Sequence, residues 1–274
     1  MPPLAHELEV AREAALQAGA LILRYHKTDV VVDRKAGDEP VTRADREASD
    51  LIVDALRRAF PADLIVSEEA TGDLSLVASA PRIWFIDPLD GTRDFIRGHT
   101  GFAVMIGLCE AGRPCLGAVY QPTGERLFLA VRGQGATLES PEGRGPLRCS
   151  EVADLTRIRL VASKSHRTGK IDEVKGALGI ADELNVGSVG LKLGLIALAE
   201  RDLYVNPSSK SSAWDTCAPE AILLEAGGRI TDLEGQPLRY DREELKNDRG
   251  LIASNGIVHD EVVAKLASLF RRKT

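Results

Sequence analysis

Trp84-Phe85-Ile86-Asp87-Pro88-Leu89-Asp90-Gly91-Thr92-Arg93-Asp94-Phe95 reads as a hydrophobic strand that ends in two acids three residues apart, with a proline between them and a glycine after. Pro88 disfavours the helical conformation for the residue before it, so Asp87 stays extended and both carboxylates leave the strand end together. Two anions crowded at a strand terminus repel unless a cation sits between them, and an oxygen-rich site of this kind suits Mg²⁺. Gly91 and Thr92 then offer backbone N–H groups at a helix start, where a phosphate is held. D-P and D-G are also common turn dipeptides, so the stretch taken alone equally describes a solvated acidic turn.

Three other segments bear on that choice. Ser67-Glu68-Glu69 closes an apolar strand, Leu64 to Ser67, with acids at the same kind of strand–loop junction. Asp45 follows Thr42 by three residues, the spacing of an N-cap and an acidic first turn, and opens a helix that stops before Pro61. Trp214-Asp215 sits just before a helix, where an aspartate is ordinarily a cap. Each acid is singly explained by structure.

The remaining pattern is layered. Leu4, Leu8, Ala11, Ala15, Ala18, Ile22 and Tyr25 recur at three- and four-residue steps and predict one amphipathic helix. Strand-like runs follow at Arg82 to Ile86, Phe102 to Cys109, Leu116 to Tyr120 and Arg126 to Val131. The turn signals AGRP, PTGE and RGQG predict an antiparallel meander there. Ser140 to Arg148 is the expected seam between an N-terminal half, 1–148, and a C-terminal half, 149–274, of one compact unit. Beyond it the sequence predicts a strand at Arg159 to Ser163, helices near Ile171 to Leu178, Val189 to Glu200 and Cys217 to Ala226, a strand at Leu251 to Ala253 and a last helix after His259. This is an α/β (α+β) layered fold of mixed sheets and helices.

Composition narrows the function classes. The 274 residues carry 35 Lys plus Arg against 41 Asp plus Glu, a formal charge of −6. That balance argues against a nucleic-acid binder, which grips phosphates through cationic surface. A small phosphorylated substrate remains compatible if a metal ion supplies positive charge. The only basic run, Arg271-Arg272-Lys273, is a terminal tail. Cys109, Cys115, Cys149 and Cys217 form no C-x-x-C pair and read as buried free thiols of a reducing cytosol. MPPLAHELEV has no apolar stretch of signal-peptide type, and no apolar run approaches the roughly 18 to 20 residues of a membrane-spanning helix. A cytoplasmic protein, monomer or homodimer, without nucleic-acid or membrane partners, is expected.

Together, Glu68, Asp87-Pro88-Leu89-Asp90-Gly91-Thr92 and Trp214-Asp215 resemble the signature of the inositol monophosphatase family of metal-dependent, lithium-sensitive phosphatases, and the resemblance runs from the first helix to Gly256. It implies the αβαβα sandwich of that family, shared with fructose-1,6-bisphosphatases, and two or three Mg²⁺ ions. It further implies that Glu68, Asp87 and the Leu89 carbonyl hold one ion, that Asp87, Asp90 and Asp215 hold a second, and that Glu68 touches a weaker third. Asp45 and Thr92 match the pair that orients and deprotonates the attacking water, with Glu68 in the catalytic set. The Gly91 and Thr92 amides match the phosphate cradle. The logic is that of metal-assisted hydrolysis.

Within the family, Ala162-Ser163-Lys164-Ser165-His166 and Gly187-Ser188-Val189-Gly190-Leu191-Lys192 resemble the S-x-S-H and G-S-x-x-L-K segments of CysQ-type 3′(2′),5′-bisphosphate nucleotidases. The resemblance implies that Ser165, His166 and Lys192 engage the second phosphate or the adenosine of 3′-phosphoadenosine 5′-phosphate, cationic donors being the right kind for a second anion. Gly190 is an extra residue in that pattern and leaves the placement of Ser188 open. The polar loop Ser208 to Asp215 borders the same expected site. An inositol-1-monophosphatase or broader sugar phosphatase is the alternative activity. A catalytically silent metal-binding regulator is the alternative of a different class.

Overall fold

The computed structural model describes residues 3–28, 31–34, 40–164 and 168–270. Along its first half run α1 (Ala5–Tyr25), β1 (Val32–Arg34), β2 (Pro40–Thr42), α2 (Arg43–Ala59), β3 (Leu64–Ser67), β4 (Arg82–Asp90), α3 (Thr92–Ile96), β5 (Ala103–Glu110), β6 (Arg113–Gln121), β7 (Arg126–Val131), β8 (Ala136–Ser140) and β9 (Gly143–Pro146). The second half adds β10 (Leu160–Ser163), α4 (Gly169–Leu178), β11 (Glu183–Val186), α5 (Val189–Ala197), β12 (Leu203–Asn206), α6 (Ala213–Glu225), β13 (Arg229–Thr231), β14 (Leu251–Ser254) and α7 (His259–Phe270).

Strands β3 to β9 form a seven-stranded sheet in sequence order, parallel at β3–β4 and antiparallel from β4 onward. A five-stranded sheet has the order β11-β10-β12-β14-β13. Strands β4 to β7, β10, β12 and β14 are buried on both faces, so alternate residues enter different cores. Trp84 and Ile86 of β4 pack with α1 and α2, whereas Ile83 and Phe85 join a core shared with α5, α6 and the second sheet. On that second sheet Val161 and Tyr204 face the central helices, while Leu160, Ala162, Leu203 and Val205 face α4 and α7. The layers are therefore helix, sheet, helix, sheet, helix.

The central layer is seated by a notch in the first sheet. Gly107 and Gly117 lie opposite each other across β5 and β6. A Cβ at Gly117 would stand 2.2 Å from the Ala218 carbonyl oxygen, and one at Gly107 would stand 2.6 Å from the Ala218 amide nitrogen. The backbone of α6 thus rests directly on the sheet, which brings its first turn, with Asp215, towards the end of β4.

The meander, α1 and α2 form as the periodicity predicts. Other boundaries move. β4 does not end at Ile86: it runs to Asp90 through a register shift between Asp87 and Asp90. Pro88 is tolerated there because it lies in a bulge that makes no ladder bond. α6 starts at Ala213 rather than Cys217, and α5 stops at Ala197 rather than Glu200. Ser140 to Arg148 holds the end of β8 and all of β9, the outer hairpin of the first sheet. Cys149 is half-buried, while the other three thiols are buried. Among the described residues no helix is long and apolar enough to cross a membrane.

Candidate active site

Asp87 and Asp90 sit on either side of the β4 bulge, and the bulge swings both carboxylates towards one cavity of about 270 Å³. Glu68, Leu89, Gly91, Thr92, Lys192 and Asp215 line the same cavity. Asp87 is 2% exposed, and its Oδ1 accepts from the Leu89 amide at 3.0 Å. Gly91 caps the five-residue α3 at φ +96°, where a Cβ would also meet the Gly101 carbonyl oxygen at 2.6 Å. Only glycine takes that conformation without strain.

Asp45 and Asp215 occupy equivalent places in two capping boxes. Asp45 Oδ2 accepts from the Thr42 amide at 2.8 Å and the Thr42 hydroxyl at 2.6 Å. Its Oδ1 accepts from Thr92 Oγ1 at 3.1 Å, and the same hydroxyl reaches the Leu89 carbonyl at 3.0 Å. Asp45 is 2% exposed and reaches the cavity only through Thr92. Asp215 Oδ2 accepts from the Ser212 amide at 2.6 Å, so Asp215 is the third residue of α6 and Ser212 its cap.

The electrostatics of these acids are mutually unfavourable. Burial, then Glu68, Asp90 and Asp215, hold Asp87 well above the usual carboxylate range. Asp215 is raised in the same way by burial, Asp90 and Glu68, and is hydrogen-bonded to Asp87. Burial also raises Asp90, against the opposing pull of Lys192 and the donors of the α5 start. Asp45 is pushed up to about 6, chiefly by burial.

Among the described residues no three His, Cys, Asp or Glu side chains already stand as a ready-made ion cage. The donor chemistry nevertheless fits a divalent cation. Carboxylates that repel and share a hydrogen bond would exchange protons for an ion held by Glu68, Asp87, Asp90, Asp215 and the Leu89 carbonyl.

The sequence left the placement of Ser188 open and gave it no role. It caps α5, accepts from the Leu191 amide at 3.1 Å and donates to Asp90 Oδ2 at 2.6 Å. The extra Gly190 has a use here, its amide donating to the same Oδ2 at 3.0 Å. Lys192 is 1% exposed, donates to the Gly187 and Val186 carbonyls at 2.7 and 3.3 Å, and lies 5.2 Å over the Tyr204 ring. Burial pulls it down to about 8. Arg93, Lys210 and Ser211 are further lining residues, the last two on the polar loop expected to border the site. Ser165 and His166 lie outside the described residues.

The profile of the inositol monophosphatase family matches residues 4–271. The chain belongs to that family. The 3′(2′),5′-bisphosphate nucleotidase CysQ of Salmonella typhimurium is 33% identical over 86% of this chain and 95% of its own. The histidinol-phosphatase of Mycobacterium tuberculosis is 32% identical over 89% of this chain and 91% of its own. The inositol monophosphatase structure from Anabaena superposes with a TM-score of 0.79 at 30% identity, covering 97% of this chain and 96% of that one. This chain is thus a phosphatase of the inositol monophosphatase family, which is generally metal-dependent, and its relatives span several named substrates at equal distance.

Proposed function

We propose that the chain removes the 3′(2′)-phosphate of 3′-phosphoadenosine 5′-phosphate, giving AMP, with Mg²⁺ as cofactor. One observation carries the choice of substrate: Arg93, Lys192 and Lys210 line the cavity that also holds the acids. An ester with one phosphate needs cationic charge at one place, supplied with the ions. A second phosphate calls for further donors, and guanidinium and ammonium groups provide them. Lys192 is buried with two hydrogens on carbonyls, so it acts through its field on Asp90 and the nearby anion, and Arg93 and Lys210 are the arms that contact the second phosphate.

Mg²⁺ bound by the acids supplies a Lewis acid that acidifies water and steadies the leaving oxygen. The rest falls to the chain. Thr92 Oγ1 orients the attacking water, and its proton passes to Asp45 Oδ1, the carboxylate behind it. The Gly91 and Thr92 amides hold the transferred phosphoryl group. Ser188 and the Gly190 amide fix the rotamer of Asp90.

The test is phosphate release with Mg²⁺ from 3′-phosphoadenosine 5′-phosphate, inositol 1-phosphate and histidinol phosphate, each with and without Li⁺. The reading expects kcat/KM at least about a hundredfold higher for the bisphosphate, roughly 2.7 kcal/mol of discrimination. That preference should shrink in Arg93→Ala and Lys210→Ala. A preference for either monophosphate overturns the substrate assignment and leaves the acid site standing.

A further inference from the structure

Behind Ser211 and Ser212, at the start of α6, lies a second polar cavity of about 320 Å³, bounded by Arg113 at the start of β6 and by the chain between β13 and β14. Arg113, Arg239, Arg242, Lys246 and Arg249 line it. The acids beside them are engaged. Asp232 Oδ1 accepts from the Glu234 and Gln236 amides at 2.9 and 2.8 Å, Glu244 accepts from the Lys246 amide at 3.1 Å, and Asp248 is also partnered. Arg239 is forked onto Asp241, and Arg249 reaches Glu234 at 2.8 Å. Arg113, Arg242 and the Lys246 ammonium keep no hydrogen-bond or ion-pair partner among the described residues.

Arg113, Arg239, Arg242, Lys246 and Arg249 outnumber the carboxylates that line the concavity with them, Asp232, Glu244 and Asp248, so the lining itself is cationic in a chain of net charge −6. Guanidinium groups match the oxygens of a phosphate or sulfate bidentately.

The cavity wall is also the back of the catalytic wall. The Asn247 amide donates to the Ser211 carbonyl at 2.8 Å, the Ala213 amide to the Leu245 carbonyl at 2.8 Å, and Asn247 Nδ2 to the Ser212 carbonyl at 3.0 Å. Ser211 and Ser212 line the catalytic cavity, and the Ser212 amide holds Asp215.

We propose that this basic cavity is a second anion site for a small phosphate-bearing molecule, and that its occupancy is felt at Asp215 through residues 245–247. The inference does not depend on which substrate the catalytic cavity takes.

The full chain is titrated calorimetrically with inorganic phosphate and with AMP in chelating buffer, which keeps divalent ions from drawing either ligand into the catalytic cavity. Binding is expected, and AMP tighter than phosphate would make the ligand a nucleoside phosphate, whereas equal affinities would make it the free anion. The exposed-residue double variant Arg113→Ser/Arg242→Ser should bind at least tenfold more weakly at unchanged melting temperature, while Lys210→Ser, in the catalytic cavity, binds as the parent does. Equal binding by the double variant, or loss only in Lys210→Ser, overturns the site. Phosphate should also shift tryptophan emission in the parent chain but not in Trp214→Phe, and an unchanged emission at saturation overturns the link to Asp215.

Discussion

Asp45 divides its two oxygens between holding a helix and serving the site. Oδ2 completes the cap of α2 with Thr42, and Oδ1 receives the Thr92 hydroxyl. The T-x-x-D spacing was therefore legible as a cap, and the role proposed for Asp45 in proton transfer would use the oxygen that the cap leaves to Thr92. Asp215 repeats the arrangement with Ser212. Asp45→Asn keeps a single oxygen for two jobs and cannot take a proton. Its kcat should fall about 10²- to 10⁴-fold, with roughly 1 kcal/mol of stability lost at the cap, measured by steady-state rates and thermal melting. Asp90→Asn separates the two effects. It removes a charge from a repelling group of acids, so turnover should be abolished while the melting temperature holds or rises; a variant with comparable turnover would contradict the role given to Asp90. The placement of Ser188 stayed open in the sequence because its partner, Asp90, is 98 residues away in the chain. No local spacing encodes such a pairing.

At the scale of an element, α6 shows how one residue can disguise a boundary. Asp215 read as a residue just before the helix, where an aspartate is ordinarily the cap, whereas Ser212 is the cap and Asp215 lies in the first turn, so the helix starts ahead of the expected Cys217. The same helix buries Glu220 at 4% exposure, with Tyr240 donating to it at 2.5 Å. Burial pushes Glu220 up to about 7 from an ordinary 4.5. The folded chain therefore holds this proton where the unfolded chain has released it. Stability is fully present below about pH 4.5 and declines as pH rises through about 7, by roughly 3 kcal/mol for such a shift. Glu220→Gln has no proton to lose. Its melting temperature relative to the parent should be flat near pH 4.5 and climb to several degrees' advantage by pH 8. A difference that does not change with pH would mean that Glu220 is ionised in the fold.

Layers of mixed sheets and helices were legible from apolar runs and amphipathic periods, while their number and order came from the family resemblance and stand in the structure as five. What sequence did not convey was how closely the layers approach. The four-residue strands β11 and β12 and the three-residue β13 carry too few alternations to read, and glycines within strands look like weak spots until a helix backbone is found lying on them. Gly117 and Gly176 put that distinction to the test. A Cβ at Gly117 meets the Ala218 carbonyl oxygen at 2.2 Å, and neither sheet nor helix backbone can yield without moving α6. Gly117→Ala should lose about 1–3 kcal/mol or more, and should lose activity beyond the loss of folded protein because Asp215 moves with α6. Gly176 lies inside α4 with nothing within 4 Å of its Cβ position, so Gly176→Ala should gain about 0.5–1 kcal/mol from helix propensity alone and leave kcat untouched. Thermal melts and turnover of the two variants, side by side, decide the matter: a Gly117→Ala protein as stable and as active as the parent would mean that α6 does not sit on the sheet through this notch.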